Sequence, residues 1–340
     1  MTCCPNCFGD RGLRKSIFPS QKSQYGKCNY CLSEDVLVLE AQELGDVFAT
    51  IANIYEPNEE GQSLIQCLRK DWHLFDHERM DDQRAGDLLA EILGDTAILR
   101  GTFAPSPSYY TDRLIHWEKL RDELMFGNRF FPTAELDQDR LANLLTHLIL
   151  DPDELATDWY RARLLRQDTP YPIQKMGAPT KKLASNGRAN PAGIPYLYLG
   201  STEQTAIAEI RPHTGETACV ATFTTPQDLK VIDLRDPRRS VSPFVLGDEE
   251  TIGFMRSDIE FLARLGDELT RPVVPDSAAF DYVPSQYLCE FIKKCGYDGV
   301  IYRSSVGEGI NMALFDPSRA TGGTVMQRLV TRVLVELQES

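Results

Sequence analysis

The stretch GRANPAGIPYLYLGSTEQTAIAEIR, residues 187–211, decides how the C-terminal half of the chain is interpreted. Its apolar run IPYLYLG is typical of a buried strand, and the Ala-rich run after it indicates a helix with Ser201 or Thr202 as N-cap. Arg188 precedes the strand in a loop rich in Gly, Asn and Pro, and Glu209 lies near the end of the helix. One short unit therefore carries a cation at one end and a carboxylate at the other.

The position of Glu209 allows two interpretations. A carboxylate flanked by Ala and Ile is costly to bury without a partner. Glu209 is then either a surface residue paired with Arg211, or it faces a cleft, where it meets ligand hydroxyls or positive charge. The second interpretation makes Arg188 and Glu209 parts of one binding site.

Residues 153–340 are predicted to form an α+β domain. Short runs rich in β-branched and aromatic residues predict strands at 158–165, 196–200, 217–225, 229–234, 298–305 and 310–316. Helical patterns lie between them at 202–210, 250–267 and 285–295. The tail, 325–338, fits a strand or a helix, and we interpret it as a strand.

Residues 35–152 are predicted to form an all-α bundle. Apolar residues recur at three- and four-residue spacing at 43–55, 82–94, 109–126 and 137–150. Within the bundle, Arg69 and His73 lie one helical turn apart. HEPN domains use an Arg and a His to cleave RNA, but at a longer spacing, so we favour an ion-paired or capping role and a regulatory or dimerising bundle.

Residues 1–34 are short, polar and rich in cysteine, and they contain two CxxC knuckles. The knuckles are formed by Cys4, Cys7, Cys28 and Cys31. Four thiolates in this spacing predict a closed, structural Zn²⁺ site, with Cys3 as an alternative to Cys4. Because so short a segment has little to bury, metal binding is expected to supply its folding energy.

Composition excludes several classes of protein. The chain has 340 residues and a formal net charge of -14, so its surface repels nucleic-acid backbones and nucleic-acid binding is not expected. We find neither a secretory signal nor an apolar run long enough to span a bilayer. The protein is expected to be cytoplasmic, with reduced cysteines.

Three segments together resemble the RES domain family, which is named for its Arg, Glu and Ser. They are WYRAR (159–163), NGRANPAGIPYLYLGSTEQTAIAEI (186–210) and YVPSQYLCEFIKKCGYDGVIYRSSVGEGINMALFD (282–316). The resemblance covers roughly residues 157–318 and implies a fold similar to that of ADP-ribosyltransferase toxins. The helices before it resemble the HEPN-related N-terminal region that accompanies some RES domains.

The resemblance also implies site residues. The arginines of the family match Arg161 and Arg188, the strand tyrosine matches Tyr198, and the glutamate matches Glu209. For the serine, Ser285 at the start of a helix is the first choice, and Ser304 before the VGEGIN run is the alternative. Arg161, Arg188, Glu209 and Ser285 are then expected to be catalytic, and Tyr198, Arg188 and Ser304 to bind the dinucleotide.

The function implied is that of a toxin that degrades NAD⁺, by passing ADP-ribose to inorganic phosphate or to water. One alternative is mono-ADP-ribosylation of a protein target. Another, of a different class, is RNA binding or cleavage through the cysteine knuckles and the Arg69/His73 pair. The family also implies a separate antitoxin, and both the family and the helical region lead us to expect a homodimer.

Overall fold

A computed structural model describes residues 1–334 of the chain. Within them the α-helices, in chain order, are α1 (Phe18–Ser20), α2 (Gly45–Ala52), α3 (Leu64–Trp72), α4 (Asp82–Leu93), α5 (Arg113–Phe126), α6 (Gln138–Thr146), α7 (Glu203–Glu209), α8 (Pro237–Ser240), α9 (Glu249–Thr270), α10 (Ala278–Asp281) and α11 (Val283–Lys294). The strands are β1 (Thr2–Cys3), β2 (Gln24–Gly26), β3 (Val36–Glu40), β4 (Tyr55–Gln62), β5 (Phe103–Pro105), β6 (Asp158–Leu164), β7 (Leu197–Gly200), β8 (Thr217–Thr224), β9 (Val231–Asp233), β10 (Gly299–Arg303), β11 (Ile310–Leu314) and β12 (Thr321–Leu329).

The chain divides into two compact units by contact. One comprises residues 1–115 and 236–263, and the other comprises residues 116–235 and the described residues from 264 onward. The boundaries after residues 34 and 152 stay predictions. None of the helices in the described part of the chain combines the length and apolarity needed to cross a bilayer.

The second unit is built on a seven-stranded sheet in the order β12-β8-β6-β7-β11-β10-β9. Neighbouring strands are antiparallel, except for the parallel pair β10 and β9. The predicted α+β class is confirmed, and each strand predicted in 153–316 is present with ends shortened by one to three residues. Of the tail predicted as a strand, residues 325–329 belong to β12, and residues 335–338 lie outside the described residues.

Alternation along the strands gives this sheet two faces, one packed on a large apolar cluster and the other on a smaller cluster that includes Ala206 of α7. Leu197 and Leu199 belong to a buried cluster with Trp159 and Met312, and Trp159 is fully buried. Because side chains alternate across a strand, Tyr198 between the two leucines points to the opposite face. That second face is the one on which the candidate site lies.

Helix α7 lies close to this second face because Gly200 lacks a side chain. Thr202 begins the helix as N-cap, since its side chain accepts a hydrogen bond from the Thr205 amide. A Cβ atom at Gly200 would lie 2.8 Å from the Ala206 amide nitrogen. The close approach of strand and helix therefore fixes where the residues of α7 lie.

The end of α6 differs from the prediction. The helix predicted over 137–150 ends at Thr146, and the chain then pairs with β9. The Leu150 amide donates to the Val231 carbonyl at 2.9 Å, and the Asp233 amide donates to the Leu148 carbonyl at 2.7 Å. Pairing with a distant strand therefore overrides the helical periodicity of the sequence.

The first unit contains strands as well as helices. β3 pairs with β1 and β2, and β4 pairs with β5, so the prediction of an all-α bundle over 35–152 is wrong at β3, β4 and β5. The expectation that metal binding supplies the folding energy of residues 1–34 stays a prediction, but this segment does bury large apolar side chains. Phe8 and Phe18 are fully buried, and the Phe8 ring lies 5.2 Å from the Phe48 ring and 5.4 Å from the Phe75 ring.

We expect Gly200→Ala to lower the free energy of unfolding of the second unit by about 1–3 kcal/mol, because its methyl group collides with the backbone of α7. Faster hydrogen exchange in peptides that cover β7 and β11, measured by mass spectrometry, would show this loss. Gly177→Ala is the matched control, since a Cβ atom there meets nothing within 4 Å. Equal exchange in both variants would contradict the proposed packing.

Candidate functional site

The second unit contains a cavity of about 540 Å³, within the range of roughly 300–1,000 Å³ that is typical of small-molecule sites. Residues from the four strands β6, β7, β10 and β11, from α7 and from the loops around them line it. Four of the residues predicted from the sequence are among them: Arg161, Arg188, Tyr198 and Glu209. The fold therefore brings together residues that lie up to 48 positions apart in the sequence.

Glu209 is the last residue of α7, and its carboxylate is held by two neutral donors. The Ser304 hydroxyl donates to Oε1 at 2.7 Å, and the Asn311 side-chain amide donates to the same oxygen at 2.6 Å. Among residues 1–334, no ion pair joins Glu209 to Arg211, and Oε2 has no hydrogen-bond partner. The structure thus favours the interpretation that Glu209 faces a cleft.

The Arg188 guanidinium is held without a carboxylate. Its Nη1 donates to the Arg271 carbonyl at 2.7 Å, and its Nη2 donates to the Ser305 hydroxyl at 2.9 Å. The Tyr282 ring lies beneath it, with the guanidinium carbon 5.6 Å from the ring centroid. Because these partners are neutral, the positive charge of Arg188 is oriented but not neutralised.

The loop that carries Arg188 is fixed to the strand and to α11 by side-chain hydrogen bonds. The Tyr198 hydroxyl accepts from the Ala189 amide at 3.0 Å and from the Asn190 amide at 3.2 Å, and it donates to the Asn190 side chain at 2.7 Å. Gln286 donates to the carbonyls of Gly187 and Asn190 at 2.8 and 3.1 Å. The Tyr198 hydroxyl is therefore engaged in holding this loop.

The two candidate serines occupy different positions. Ser285 is fully buried, and its hydroxyl donates towards the carbonyls of Arg188, at 2.5 Å, and Tyr282, at 3.0 Å. It does not line the cavity but holds the main chain of Arg188. Ser304 instead contacts the carboxylate of Glu209 directly. The catalytic role assigned to Ser285 stays a prediction, and the geometry gives it a positioning role.

Arg161 lies where two strands of the sheet diverge. β6 and β7 are joined by one residue pair, Tyr160 with Gly200. The Arg161 Nη1 donates to the Tyr198 carbonyl at 2.8 Å, whereas its Nε is buried and has no hydrogen-bond partner in the described chain. Burial, assisted by the charge of Arg163, lowers the pKa of Arg161 to about 10. A bound anion would offset the unfavourable burial of the Arg161 charge.

These contacts define an electrostatic pattern. In the part of the chain that the structure describes, neither Arg161 nor Arg188 forms a salt bridge, although both line the cavity with Glu209. The two cations and the carboxylate are thus held separately by neutral groups. Such a site suits a ligand that carries an anionic group and, at some distance from it, a positive or polar group.

Two further residues of the cavity are not found by the sequence analysis. Asn311 is buried and bonds to Glu209 across 102 positions of the chain. Tyr302 is also buried, and burial raises the pKa of its phenol well above the usual value. A signal was present for Asn311, because it is a polar residue within the apolar strand INMAL.

The contacts of Arg69 and His73 favour the interpretation without catalysis. Arg69 lies 3.3 Å from Asp82 and donates to the Met80 carbonyl. His73 ends α3 in a left-handed conformation, with φ of 53°, and its Nε2 lies 3.8 Å from Asp236. Each side chain therefore has its own carboxylate partner.

The four predicted metal ligands do come together in the first unit. The Sγ atoms of Cys4, Cys7, Cys28 and Cys31 are buried and lie within 4.8 Å of one another. The shortest separations are 3.3 Å for Cys7 and Cys28 and 3.4 Å for Cys4 and Cys31. Sulfurs bound to zinc at about 2.3 Å lie about 3.8 Å apart in a tetrahedron, so this donor set fits Zn²⁺. Cys3 is buried but lies outside the group.

Comparison with known families identifies the C-terminal half of the chain. The RES domain family model matches residues 158–329, which is half of the chain. The chain belongs to the RES domain family. The matched segment contains Arg161, Arg188 and Glu209 together with both candidate serines, so the resemblance seen in the sequence is confirmed.

One solved structure to which the chain is weakly similar is the M. tuberculosis MbcT-MbcA toxin-antitoxin complex. The similarity has a TM-score of 0.34 and 14% sequence identity, and it covers 55% of this chain and 91% of the matched one. A likeness this weak carries no detail of the site. No curated protein matches the sequence.

We expect the purified chain to carry about one zinc ion per molecule, measured by inductively coupled plasma mass spectrometry. Cys4→Ser should abolish this content, because it removes one of four thiolates. The hydrogen-exchange protection of residues 1–34 should fall in this variant, but the segment should not unfold completely, since Phe8 and Phe18 stay buried.

Cys3→Ser is the matched control, because Cys3 is the adjacent buried cysteine outside the group. It should keep the full zinc content. Loss of zinc in Cys3→Ser, with retention in Cys4→Ser, would reverse the assignment of the ligand.

Proposed function

We propose that this RES domain protein is a toxin that cleaves NAD⁺ at the bond between nicotinamide and ribose. Its family supports the substrate class, and the cavity supports the chemistry. The observation that carries the proposal is the arrangement of two guanidinium groups that no carboxylate neutralises, opposite a carboxylate held by neutral donors. NAD⁺ offers a pyrophosphate to the first and a ribose that develops positive charge to the second.

Arg161 and Arg188 would bind the pyrophosphate. A guanidinium presents two parallel N–H groups to a phosphate, and burial strengthens the attraction between the charges. The pKa of Arg161, lowered by burial, is consistent with a cation whose partner arrives with the substrate. Ser285 and Tyr198 would act on this step through the loop of Arg188.

Glu209 would act at the reacting bond. As the bond breaks, its electron pair leaves with nicotinamide, and positive charge builds up on the anomeric carbon of the ribose. A fixed carboxylate stabilises such a transition state, as carboxylates do in glycoside hydrolysis. Ser304 and Asn311 both bind Oε1, so Oε2 stays available for the ribose or its hydroxyl groups.

The acceptor then completes the reaction. An oxygen of inorganic phosphate forms the new bond to the anomeric carbon in phosphorolysis, whereas water does so in hydrolysis and releases a proton. Transfer to a protein side chain is the alternative function. Product analysis distinguishes the three, because they yield a phosphorylated ADP-ribose, free ADP-ribose or modified protein.

Depletion of NAD⁺ would stop growth, so the activity has to be restrained. We propose that a separate antitoxin provides this restraint, as the family implies. The homodimer predicted from the sequence stays a prediction. RNA cleavage is not proposed, because Arg69 and His73 bind separate carboxylates.

We expect the purified full chain to release nicotinamide from NAD⁺, and Glu209→Gln to reduce this rate by at least about 100-fold. Glutamine can still accept the bonds of Ser304 and Asn311 through its oxygen, but it lacks the charge and places an amide where Oε2 was. Chromatography of reactions with and without phosphate measures the rate and identifies the product.

Glu203→Gln is the matched control, since Glu203 lies on the same helix and pairs with Arg328 at 2.6 Å. Loss of this ion pair should cost less than about 1 kcal/mol of stability and leave the rate unchanged. No release of nicotinamide by the wild-type chain under either condition would contradict the proposed activity. Equal rates for Glu209→Gln and the wild type would contradict the role of Glu209.

A further inference from the structure

Glu268 is a buried carboxylate on the last turn of α9, and its side chain has no exposed surface. Arg121 donates to its Oε1 at 3.0 Å, and Arg264 lies 3.2 Å from the same oxygen. Arg271 lies on the other side, with Nε 3.5 Å from Oε2, and these two buried atoms form an ion pair but no hydrogen bond. A buried charge is tolerated only when it is paired, and here one carboxylate pairs with three cations from two segments of the chain.

Arg271 links this cluster to the cavity. Its Nη2 donates to the carbonyl and to the side chain of Asp281, at 3.0 and 3.2 Å. The side chain therefore bridges the two ends of the segment 271–281. The carbonyl of Arg271 is the acceptor for Arg188, and the ring of the next residue after the segment, Tyr282, lies beneath the same guanidinium.

The orientation of Arg188 therefore depends on where the segment 271–282 lies. Two of its three side-chain partners belong to this segment, and the third is Ser305. Val273 and Ala278 of the segment also line the cavity. A group that fixes Arg271 fixes this wall of the cavity as well.

We propose that Glu268 is a positioning residue for dinucleotide binding, acting through Arg271 on Arg188 without touching the substrate. This inference rests on the proposed function. The carboxylate attracts the Nε side of the Arg271 guanidinium, while Asp281 accepts hydrogen bonds from Nη2. Without the charge of Glu268, the Arg271 side chain is held only at Asp281, so the segment 271–282 that carries two partners of Arg188 is less firmly placed.

This role has a kinetic signature that a purely structural role lacks. Contacts to the pyrophosphate are made in the ground state and in the transition state alike, so weakening them raises KM and leaves kcat unchanged. A residue that only stabilises the fold reduces the amount of active protein, which lowers the apparent kcat at constant KM.

The test is a double-mutant cycle with Glu268→Gln, Arg271→Lys and the double variant, measured by steady-state cleavage of NAD⁺. We expect each single variant to raise KM by about 10-fold and to change kcat by less than about threefold. The double variant should raise KM no further than the larger single effect, because both changes break one link. Asp267→Asn, a change at the exposed neighbour of Glu268, is the control and should leave KM within about twofold of the wild type.

An unchanged KM in the folded single variants would overturn the inference, and so would effects that multiply in the double variant. If Glu268→Gln does not fold, the KM of Arg271→Lys alone tests the inference. This variant keeps the ion pairs of Glu268 with Arg121 and Arg264. If the wild-type chain does not cleave NAD⁺, the proposed function fails, and calorimetric titration with inorganic pyrophosphate decides the inference. Binding about 10-fold weaker in Arg271→Lys than in the wild type supports it, whereas equal affinity or no binding to either overturns it.

Discussion

Two hydrogen bonds to one oxygen of Glu209 are the constraint on which the candidate site depends. Their donors, Ser304 and Asn311, lie on the return hairpin formed by β10 and β11, whereas Glu209 lies on α7. The bonds therefore join helix and sheet at the cavity. They also orient the carboxylate, so that Oε1 is occupied and Oε2 has no hydrogen-bond partner in the described chain.

The two arginines of the cavity, like Glu209, are held by neutral hydrogen-bonding partners. Arg161 and Arg188 are held by main-chain carbonyls and a hydroxyl, which orient a guanidinium without neutralising it. In the same unit, Arg264 and Arg271 are instead paired with the buried carboxylate of Glu268. The unit thus contains two kinds of arginine. One kind is paired with a carboxylate, and the other has only neutral partners in the described chain, which is the basis for proposing that it binds an anion.

The sequence predicts much of this arrangement, and physical reasons explain the rest. The strands of the second unit could be predicted because their short runs are rich in β-branched and aromatic residues. Arg188 and Glu209 could be placed in one site because a short strand and helix connect them. Asn311 stands out as a polar residue in an apolar strand, but its bond to Glu209 could not be predicted, since it joins segments 102 positions apart. The burial of Ser285 was missed for a similar reason, because it depends on the contact between α11 and the loop that carries Arg188.

In the first unit, Phe8 packs against rings that follow it by 40 and 67 positions, so residues 1–34 appeared less able to bury apolar surface than they are.

The most direct measurement is a crystal structure of the Glu209→Gln variant with intact NAD⁺ bound. We expect the pyrophosphate to accept hydrogen bonds from Arg161 and Arg188 and the ribose next to nicotinamide to lie against the side chain at position 209. A dinucleotide bound outside this cavity, or bound in it with that ribose turned away from position 209, would contradict the proposed roles of these residues.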